Sequence, residues 1–192
     1  MRHEVASYNT RKLLSTTLKV IMKDKDLSKI SVSEVAEAAK VNRKTFYYHF
    51  NDIYDLLAWT LETESINLVR SFDLTVDYKR AIKITLDYME QNSEFMGNIM
   101  KSYARNEVRH FLYKDLHDIF LKTIKDIAKR NNAFIEKEYA DFISGFSTEA
   151  IAGMIMHWVS NPVSFERAKV EKYLARIFRV TVENLIEEEA RR

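Results

Sequence analysis

The side chains best suited to chemistry lie together in the run from Asn42 to His49, which reads NRKTFYYH. Arg43 and Lys44 supply two adjacent cations, and both residue types can donate hydrogen bonds to O6 and N7 of guanine in the major groove. Amide, hydroxyl and imidazole groups can bind phosphate oxygens, which fixes the register of a protein on DNA. We therefore predict a DNA-contacting face, to which Ser33 is added from the preceding segment. Its residues are Ser33, Asn42, Arg43, Lys44, Thr45, Tyr47, Tyr48 and His49.

Two short helices joined by a tight turn are predicted to position these side chains. Ser31 and Glu34 have the spacing of a capping box, in which each side chain accepts a hydrogen bond from the other residue's backbone N–H. Asn42 is a preferred N-cap residue for the second helix. Phe46 and Phe50 are four positions apart and share one face, which we expect to be the inner one. A basic, aromatic second helix after a short turn indicates a helix-turn-helix.

The segment around this turn resembles the DNA-binding domain of the TetR family of bacterial transcription regulators. The matching runs are Val35-Ala36-Glu37-Ala38-Ala39, Val41-Asn42, Thr45-Phe46-Tyr47-Tyr48-His49-Phe50 and Asp55-Leu56-Leu57. The resemblance covers roughly the first third of the chain. It implies a homodimer that binds a pseudo-palindromic operator on double-stranded DNA, with Tyr47 and His49 on phosphates. Tyr48 could either contact DNA or pack inside the domain.

Two positions depart from the family pattern. The family usually has glycine in the turn, where this chain has Lys40. If that residue is left-handed, its side chain costs on the order of 1 kcal/mol. The family also usually has a lysine near the phosphate backbone, at the position that Ile53 occupies here. We expect one phosphate contact, and about one unit of salt dependence, to be affected.

The composition is that of an ordinary globular protein, with 46% hydrophobic and 30% charged residues. The absence of cysteine excludes disulfides and thiolate metal sites, and we expect no cofactor. Neither a membrane-spanning apolar run nor a signal-peptide pattern is present, so we expect a cytoplasmic protein. The net charge of +2 is uneven. Residues 1–50 carry ten Lys and Arg against five Asp and Glu, which is consistent with a basic DNA-facing end.

Apolar residues recur at helical spacing along the chain, and no segment reads convincingly as a strand. Three glycines and one proline also argue against a turn-rich β fold. We therefore predict an all-α protein. Residues 1–52 would form a three-helix helix-turn-helix domain, a linking helix would follow over about 53–72, and residues 73–192 would form a helical bundle for dimerisation and regulation.

The last two helices are expected over residues 137–160 and from about 165 onward. The first is apolar on several sides, which indicates burial on several sides. In the TetR family the last two helices pair with those of a second copy, although both faces could instead belong to the core of one chain. The predicted dimer residues are Ile143, Ile151, Ile155, Leu174, Ile177, Phe178 and Leu185.

Aromatic and Met side chains of the body could line an apolar effector cavity between helices, or could simply be core. They are Tyr88, Phe95, Met100, Tyr103, Phe111, Phe120, Phe142, Phe146 and Trp158. His110 and His117 could share a helix face, but no third residue stands at a metal-ligand spacing. No catalytic arrangement of residues is present either, so we do not expect an enzyme.

The leading interpretation is a repressor that occludes a promoter and is released by a small apolar or aromatic effector. Gly145-Phe146 and the ending Trp158 to Asn161-Pro162 weakly resemble a subgroup that includes regulators of dihydroxyacetone kinase operons. That resemblance allows an alternative, an activator controlled by a partner protein. A helical adaptor that does not bind DNA is the third possibility.

Overall fold

A computed structural model describes residues 2–101, 105–161 and 166–190, which contain α-helices and no strand. The helices are α1 (Arg2–Ile21), α2 (Val32–Ala38), α3 (Arg43–His49), α4 (Ile53–Leu61), α5 (Asn67–Arg70), α6 (Leu74–Gln91), α7 (Ser93–Lys101), α8 (Arg105–Arg130), α9 (Lys137–Ser160) and α10 (Arg167–Ala190). A 3-10 turn, Leu27–Lys29, precedes α2, and a π-helical turn, Glu62–Ile66, interrupts the predicted linking helix between α4 and α5. The all-α prediction is confirmed. None of the described helices is long and apolar enough to cross a membrane.

The helix starts around the turn follow from local capping. The Ser31 hydroxyl accepts a hydrogen bond from the Glu34 backbone N–H at 3.2 Å, and Asn42 Oδ1 accepts one from the Lys44 N–H at 2.9 Å. The Glu34 carboxylate binds Lys25 Nζ at 2.6 Å, which lowers the pKa of that carboxyl. The Ser31 backbone N–H also lies close enough to the Glu34 carboxylate to help lower its pKa, as the capping box predicts.

Lys40 ends α2 in the left-handed conformation, with φ of 54°. Its N–H donates to the Glu37 carbonyl at 3.0 Å, and the Val41 N–H donates to the Ala36 carbonyl at 2.9 Å. This pair of bonds is the Schellman motif, in which the residue after the C-cap is left-handed. The condition of the prediction about the turn is therefore met, and Lys40 occupies a conformation that glycine adopts without strain. The cost in stability stays a prediction.

The chain divides into two compact units, residues 1–64 with 92–111 and residues 65–91 with 112–192. The sequence-based domain limits stay a prediction. In the first unit, α1 to α4 and α7 enclose an apolar core whose fully buried residues include Leu14, Leu18, Val35, Phe46, Leu56 and Ile99. The core also holds a buried polar pair. The Thr60 hydroxyl lies 2.9 Å from the Ser15 hydroxyl and thereby links α4 to α1.

The second unit combines apolar clusters with ion pairs between helices. One cluster consists of Ile66, Leu74, Ala81 and Ile119, with Phe178 packed against it. The Phe178 ring also stacks on Tyr78 at 4.8 Å between centroids. The Arg167 guanidinium binds Asp87 and lies 3.0 Å from Glu90, so the start of α10 is tied to α6.

Replacing Lys40 with glycine tests the strain in the turn. We expect Lys40→Gly to raise the free energy of unfolding of the first unit by about 1 kcal/mol, because left-handed backbone penalises a Cβ. Urea unfolding followed by Trp59 fluorescence in a Trp158→Phe background measures it. Lys40→Ala is the matched control. It removes the charge but keeps the Cβ, so equal gains for both variants would show that charge, not strain, is responsible.

Candidate nucleic-acid interface

α3 turns its polar residues toward solvent. Arg43, Lys44 and Tyr47 are exposed, and Tyr48 is 73% exposed. The alternative that Tyr48 packs inside this unit is therefore wrong. Arg43 with Tyr47, and Lys44 with Tyr48, are each four residues apart, so they form two adjacent rows along the outer face. The side chains of these rows can reach the base edges in a DNA groove and the phosphates on either side of it.

A cluster of aromatic rings fixes the opposite face of α3. Phe46 is fully buried, and its ring lies 5.9 Å from the ring of Phe50. Phe50 lies 5.8 Å from Trp59 in α4, which in turn lies 6.0 Å from Tyr8 in α1. α3 is therefore held against two longer helices, and its outer side chains project from a rigid support.

The cations of this face are not neutralised by the protein. Arg43 and Lys44 form no ion pair among the described residues, and the same holds for Lys12 and Lys40 of the same unit. Unpaired cations on one face attract a polyanion and release its counterions when phosphates are bound. Asn42 is exposed and Thr45 is half-buried beside them, and Ser33 is exposed on the first turn of α2.

His49 differs from the other candidate residues because it is half-buried. Its Nδ1 atom is buried and has no hydrogen-bond partner, and the same is true of Nε of Arg11. Burial lowers the pKa of His49 below 6.5, and the positive charge of Arg11 lowers it further. Both effects favour the neutral form of the imidazole, from which any phosphate contact would begin.

Ile53, where the family usually has lysine, is the first residue of α4 and is buried. An uncharged buried side chain supplies no phosphate contact. The start of α4 is instead capped by the Asp52 carboxylate, which accepts from the Asp55 N–H at 2.8 Å.

The described members of the predicted effector-cavity set belong to both units and differ in exposure. Phe95 and Met100 are buried in the first unit, whereas Phe120 and Trp158 are buried in the second. Tyr88 is half-buried in the second unit, and the side chains of Tyr103 and Phe111 lie outside the described residues. Phe142 and Phe146 are 71% and 67% exposed.

The predicted dimer residues fall into three classes. Ile177 of α10 is 57% exposed, whereas Leu174 is buried within its own chain. Phe178 is half-buried against Tyr78, and the Leu185 side chain lies outside the described residues. The remaining members are half-buried on α9, and they are Ile143, Ile151 and Ile155.

Comparison with known proteins decides the family. A family model described as bacterial regulatory proteins, tetR family, matches residues 13–58, and one described as transcriptional regulator C-terminal region matches residues 77–179. The chain belongs to the TetR family of bacterial transcriptional regulators. It is a DNA-binding regulator, not an enzyme, and the matched N-terminal segment contains α2 and α3.

Relatives of known structure share the fold. The chain is 23% identical over 158 residues to the HTH-type dhaKLM operon transcriptional activator DhaS of Lactococcus lactis subsp. lactis (strain IL1403), covering 82% of this chain and 83% of that protein. A solved structure of the dihydroxyacetone kinase operon activator DhaS superposes with a TM-score of 0.70 at 22% identity, covering 91% of this chain and 96% of the other. NalD, the secondary repressor of the MexAB-OprM multidrug efflux pump in Pseudomonas aeruginosa, superposes with a TM-score of 0.56 at 18% identity over 90% and 96%. The family and subgroup resemblances are thereby confirmed, and the adaptor without DNA binding is set aside.

Two features of this TetR-family chain were not predicted from its sequence. The first is the proximity of Arg11 to His49, which are 38 positions apart and share no sequence signal. The second is a cleft of about 470 Å³ in the second unit, with a mixed polar and apolar lining. Its lining includes Arg70, Phe72, Asp73, Asp118, Ile119 and Lys122, and none of them was predicted to line a cavity.

The half-buried imidazole of His49 should make the stability of the protein depend on pH. Because the folded-state pKa of His49 is lowered from 6.5, the unfolded chain binds a proton more readily than the folded one. The contribution of His49 is therefore complete above about pH 6.5, the unfolded value, and is lost as pH falls from there through the lower folded-state pKa. His49→Gln should reduce the decline in stability between about pH 7 and 5.5, as measured by urea unfolding followed through Trp59. His110→Gln, at an exposed histidine, is the control. If the stability of His49→Gln fell as much between these pH values as that of the parent, His49 would not be the group responsible.

Proposed function

We propose that the protein binds a pseudo-palindromic operator as a homodimer, with α3 of each copy in the major groove. The observation that carries this proposal is the pair of exposed, unpaired cations at the capped start of α3, Arg43 and Lys44. In a helix-turn-helix the N-terminal residues of the second helix contact the base edges. Operator binding is a function of the bacterial cytoplasm, where the chromosome lies.

We assign sequence reading to Arg43 and Lys44, since both donate to guanine O6 and N7. Tyr47, Tyr48 and His49 stand farther along α3, and we assign them to phosphates together with Asn42, Thr45 and Ser33. Phosphate contacts fix register and strengthen binding to all sequences alike. Lys44 and Tyr48 share one row of the helix and Arg43 and Tyr47 the other, which places a base reader beside a phosphate contact in each row.

This division of roles is tested by selecting the preferred duplex from a random pool and then measuring affinities for that duplex and a scrambled one. We expect a palindrome. Arg43→Ala should reduce the preference for the selected duplex about tenfold or more, since a bidentate base contact contributes ~1–3 kcal/mol of discrimination. Tyr47→Phe should weaken both duplexes equally, because it removes only a phosphate contact.

Lys114→Ala, an exposed lysine on α8, is the control for loss of positive charge. Equal losses on both duplexes for Arg43→Ala would overturn the assignment of that residue to base edges. A selected sequence without two-fold symmetry would overturn the dimeric arrangement on DNA.

We propose that the two copies meet through α9 and α10. α9 exposes Phe142, Phe146 and Met154, and α10 exposes Tyr173 and Ile177. Single exposed apolar side chains are ordinary, but a row of them along two consecutive helices is typical of a protein interface. TetR-family regulators act as dimers, and these two faces are suitable for burial against a second copy.

Placing a charge in this face should separate the copies. We expect Phe146→Glu with Ile177→Glu to give a monomer in sedimentation experiments and to weaken operator binding at least tenfold, because both half-sites must be bound together. Helical content measured by circular dichroism should be unchanged. Val76→Glu is the matched control, since Val76 is 66% exposed on α6. A doubly substituted protein that remains dimeric would exclude this face.

For the direction of regulation we propose repression by promoter occlusion, with release by a small apolar or aromatic effector. Support for a repressor comes from the fold shared with NalD. Phe120 and Trp158 are buried in the second unit, where an apolar effector site would need aromatic lining residues.

A second candidate is an activator controlled by a partner protein, and the likeness to DhaS, an activator, favours it. Transcription reconstituted on a template that carries the selected operator distinguishes the two. Repression predicts fewer transcripts as the protein is added. Activation predicts more, either with the protein alone or with a co-encoded protein.

A further inference from the structure

A groove of about 320 Å³ lies where α8 ends and α9 begins, within the second unit. Its apolar floor is formed by the buried side chains of Ile124, Ala128 and Ala140, with Ile135 at one side. Small alanine side chains on both helices leave a slot between them. This volume is at the lower end of the ~300–1,000 Å³ typical of small-molecule sites, so the slot suits one slender apolar chain.

Three lysines, Lys125, Lys129 and Lys137, surround this floor. All three are exposed, and none forms an ion pair among the described residues. The acidic residues nearest to them in sequence, Asp126, Glu136 and Glu138, do not form ion pairs with them either among the described residues. The groove therefore has an apolar base beneath a rim of positive charge that the protein does not neutralise.

Two residues at this groove are unfavourable for the protein by itself. Phe134 is 80% exposed, the highest value among the large exposed apolar residues that the structure describes. Lys137 lies in the first turn of α9, where the helix dipole disfavours a cation. Lys129 in the last turn of α8 has an ordinary explanation, since the dipole favours a cation there. Glu136 at the N-cap and Glu138 in the first turn carry the charge that the dipole favours, so the exposure of Phe134 is the clearer departure, and such departures are expected at functional sites.

We propose that this groove binds a single-chain anionic amphiphile, such as a free fatty carboxylate, from solution. The chain lies along Ile124, Ala128 and Ala140, and Phe134 closes over it. The carboxylate lies among the ammonium groups of Lys125, Lys129 and Lys137, whose aliphatic stems extend the apolar walls. This binding does not depend on operator recognition, because every residue involved belongs to the second unit.

Charge and shape select this occupant over others. A cationic amphiphile would meet three like charges, and an uncharged one would leave the lysines unpaired. One turn of a partner helix, about 10 Å across and about 5.4 Å long, occupies roughly 420 Å³, which is more than the groove's volume of about 320 Å³. A slender chain that ends in a carboxylate places its apolar part on the floor and its negative charge among the lysines of the rim.

Isothermal titration of the full-length protein with alkanoates of six to twelve carbons, kept below the concentrations at which they form micelles, tests the proposal. Affinity should increase two- to fourfold per added methylene, as expected for burial of a CH₂ group, and then level off when the slot is full. Dodecyltrimethylammonium and methyl dodecanoate, which lack the negative charge, should bind at least tenfold more weakly than dodecanoate.

Substitutions locate the site. Lys137→Glu should weaken dodecanoate binding about tenfold, because it replaces an attraction with a repulsion. Phe134→Ala should weaken it several-fold. Lys114→Glu on α8 and Val76→Ala on α6 are control variants that alter an exposed lysine and an exposed apolar residue away from the groove, and both should bind as the parent does.

Three results would overturn the proposal. One is equal binding of dodecanoate, its methyl ester and the cationic amphiphile, which would indicate unspecific adsorption. Another is unchanged affinity in Lys137→Glu with circular dichroism confirming the fold. The third is binding to phosphatidylglycerol vesicles with none to monomeric dodecanoate, which would indicate a membrane surface as the true ligand.

Discussion

Burial of the inner face of α3 is the constraint on which the DNA-facing surface depends. A helix of seven residues is too short to be stable alone, since isolated helices below ~12–15 residues are marginal in water. Phe46 and Phe50 anchor it to Trp59, and the Asn42 side chain caps its start. These contacts hold the neighbouring Arg43 and Lys44 in a defined direction. Without the aromatic cluster the same cations would be an unstructured basic segment with affinity for DNA but no means of reading it.

The second unit differs from the first, because its helices are long and their outer faces carry apolar as well as charged residues. Arg167, with carboxylates from α6 and from its own helix, fixes the start of α10, and the stack of Phe178 on Tyr78 fixes its middle. Exposed ion pairs contribute little one at a time, but a shared guanidinium sets an orientation. The rest of α10 and α9 presents apolar residues to solvent, which is unfavourable in one chain and is the reason for the proposal that a second copy covers them.

The two departures from the family pattern, at Lys40 and Ile53, are accommodated by the residues around them. Lys40 takes the left-handed turn at a cost of about 1 kcal/mol, which a folded unit tolerates because its two backbone hydrogen bonds are still formed. Ile53 joins the core, so the charge that usually stands there is absent. The unpaired Arg43, Lys44, Lys12 and Lys40 still leave this unit positively charged on its surface.

The sequence by itself determined the features that depend on neighbours a few residues apart. Ser31 and Asn42 cap helices, Phe46 and Phe50 share a face, and the motif around them identifies the family, since each needs only local spacing. Tertiary structure alone decided that Glu34 pairs with Lys25, that Arg11 lies beside His49, and that Phe142 and Phe146 face solvent instead of a cavity. Helical periodicity shows which residues share a face. It does not show which helix, if any, covers that face, because that depends on the packing of segments far apart in the chain.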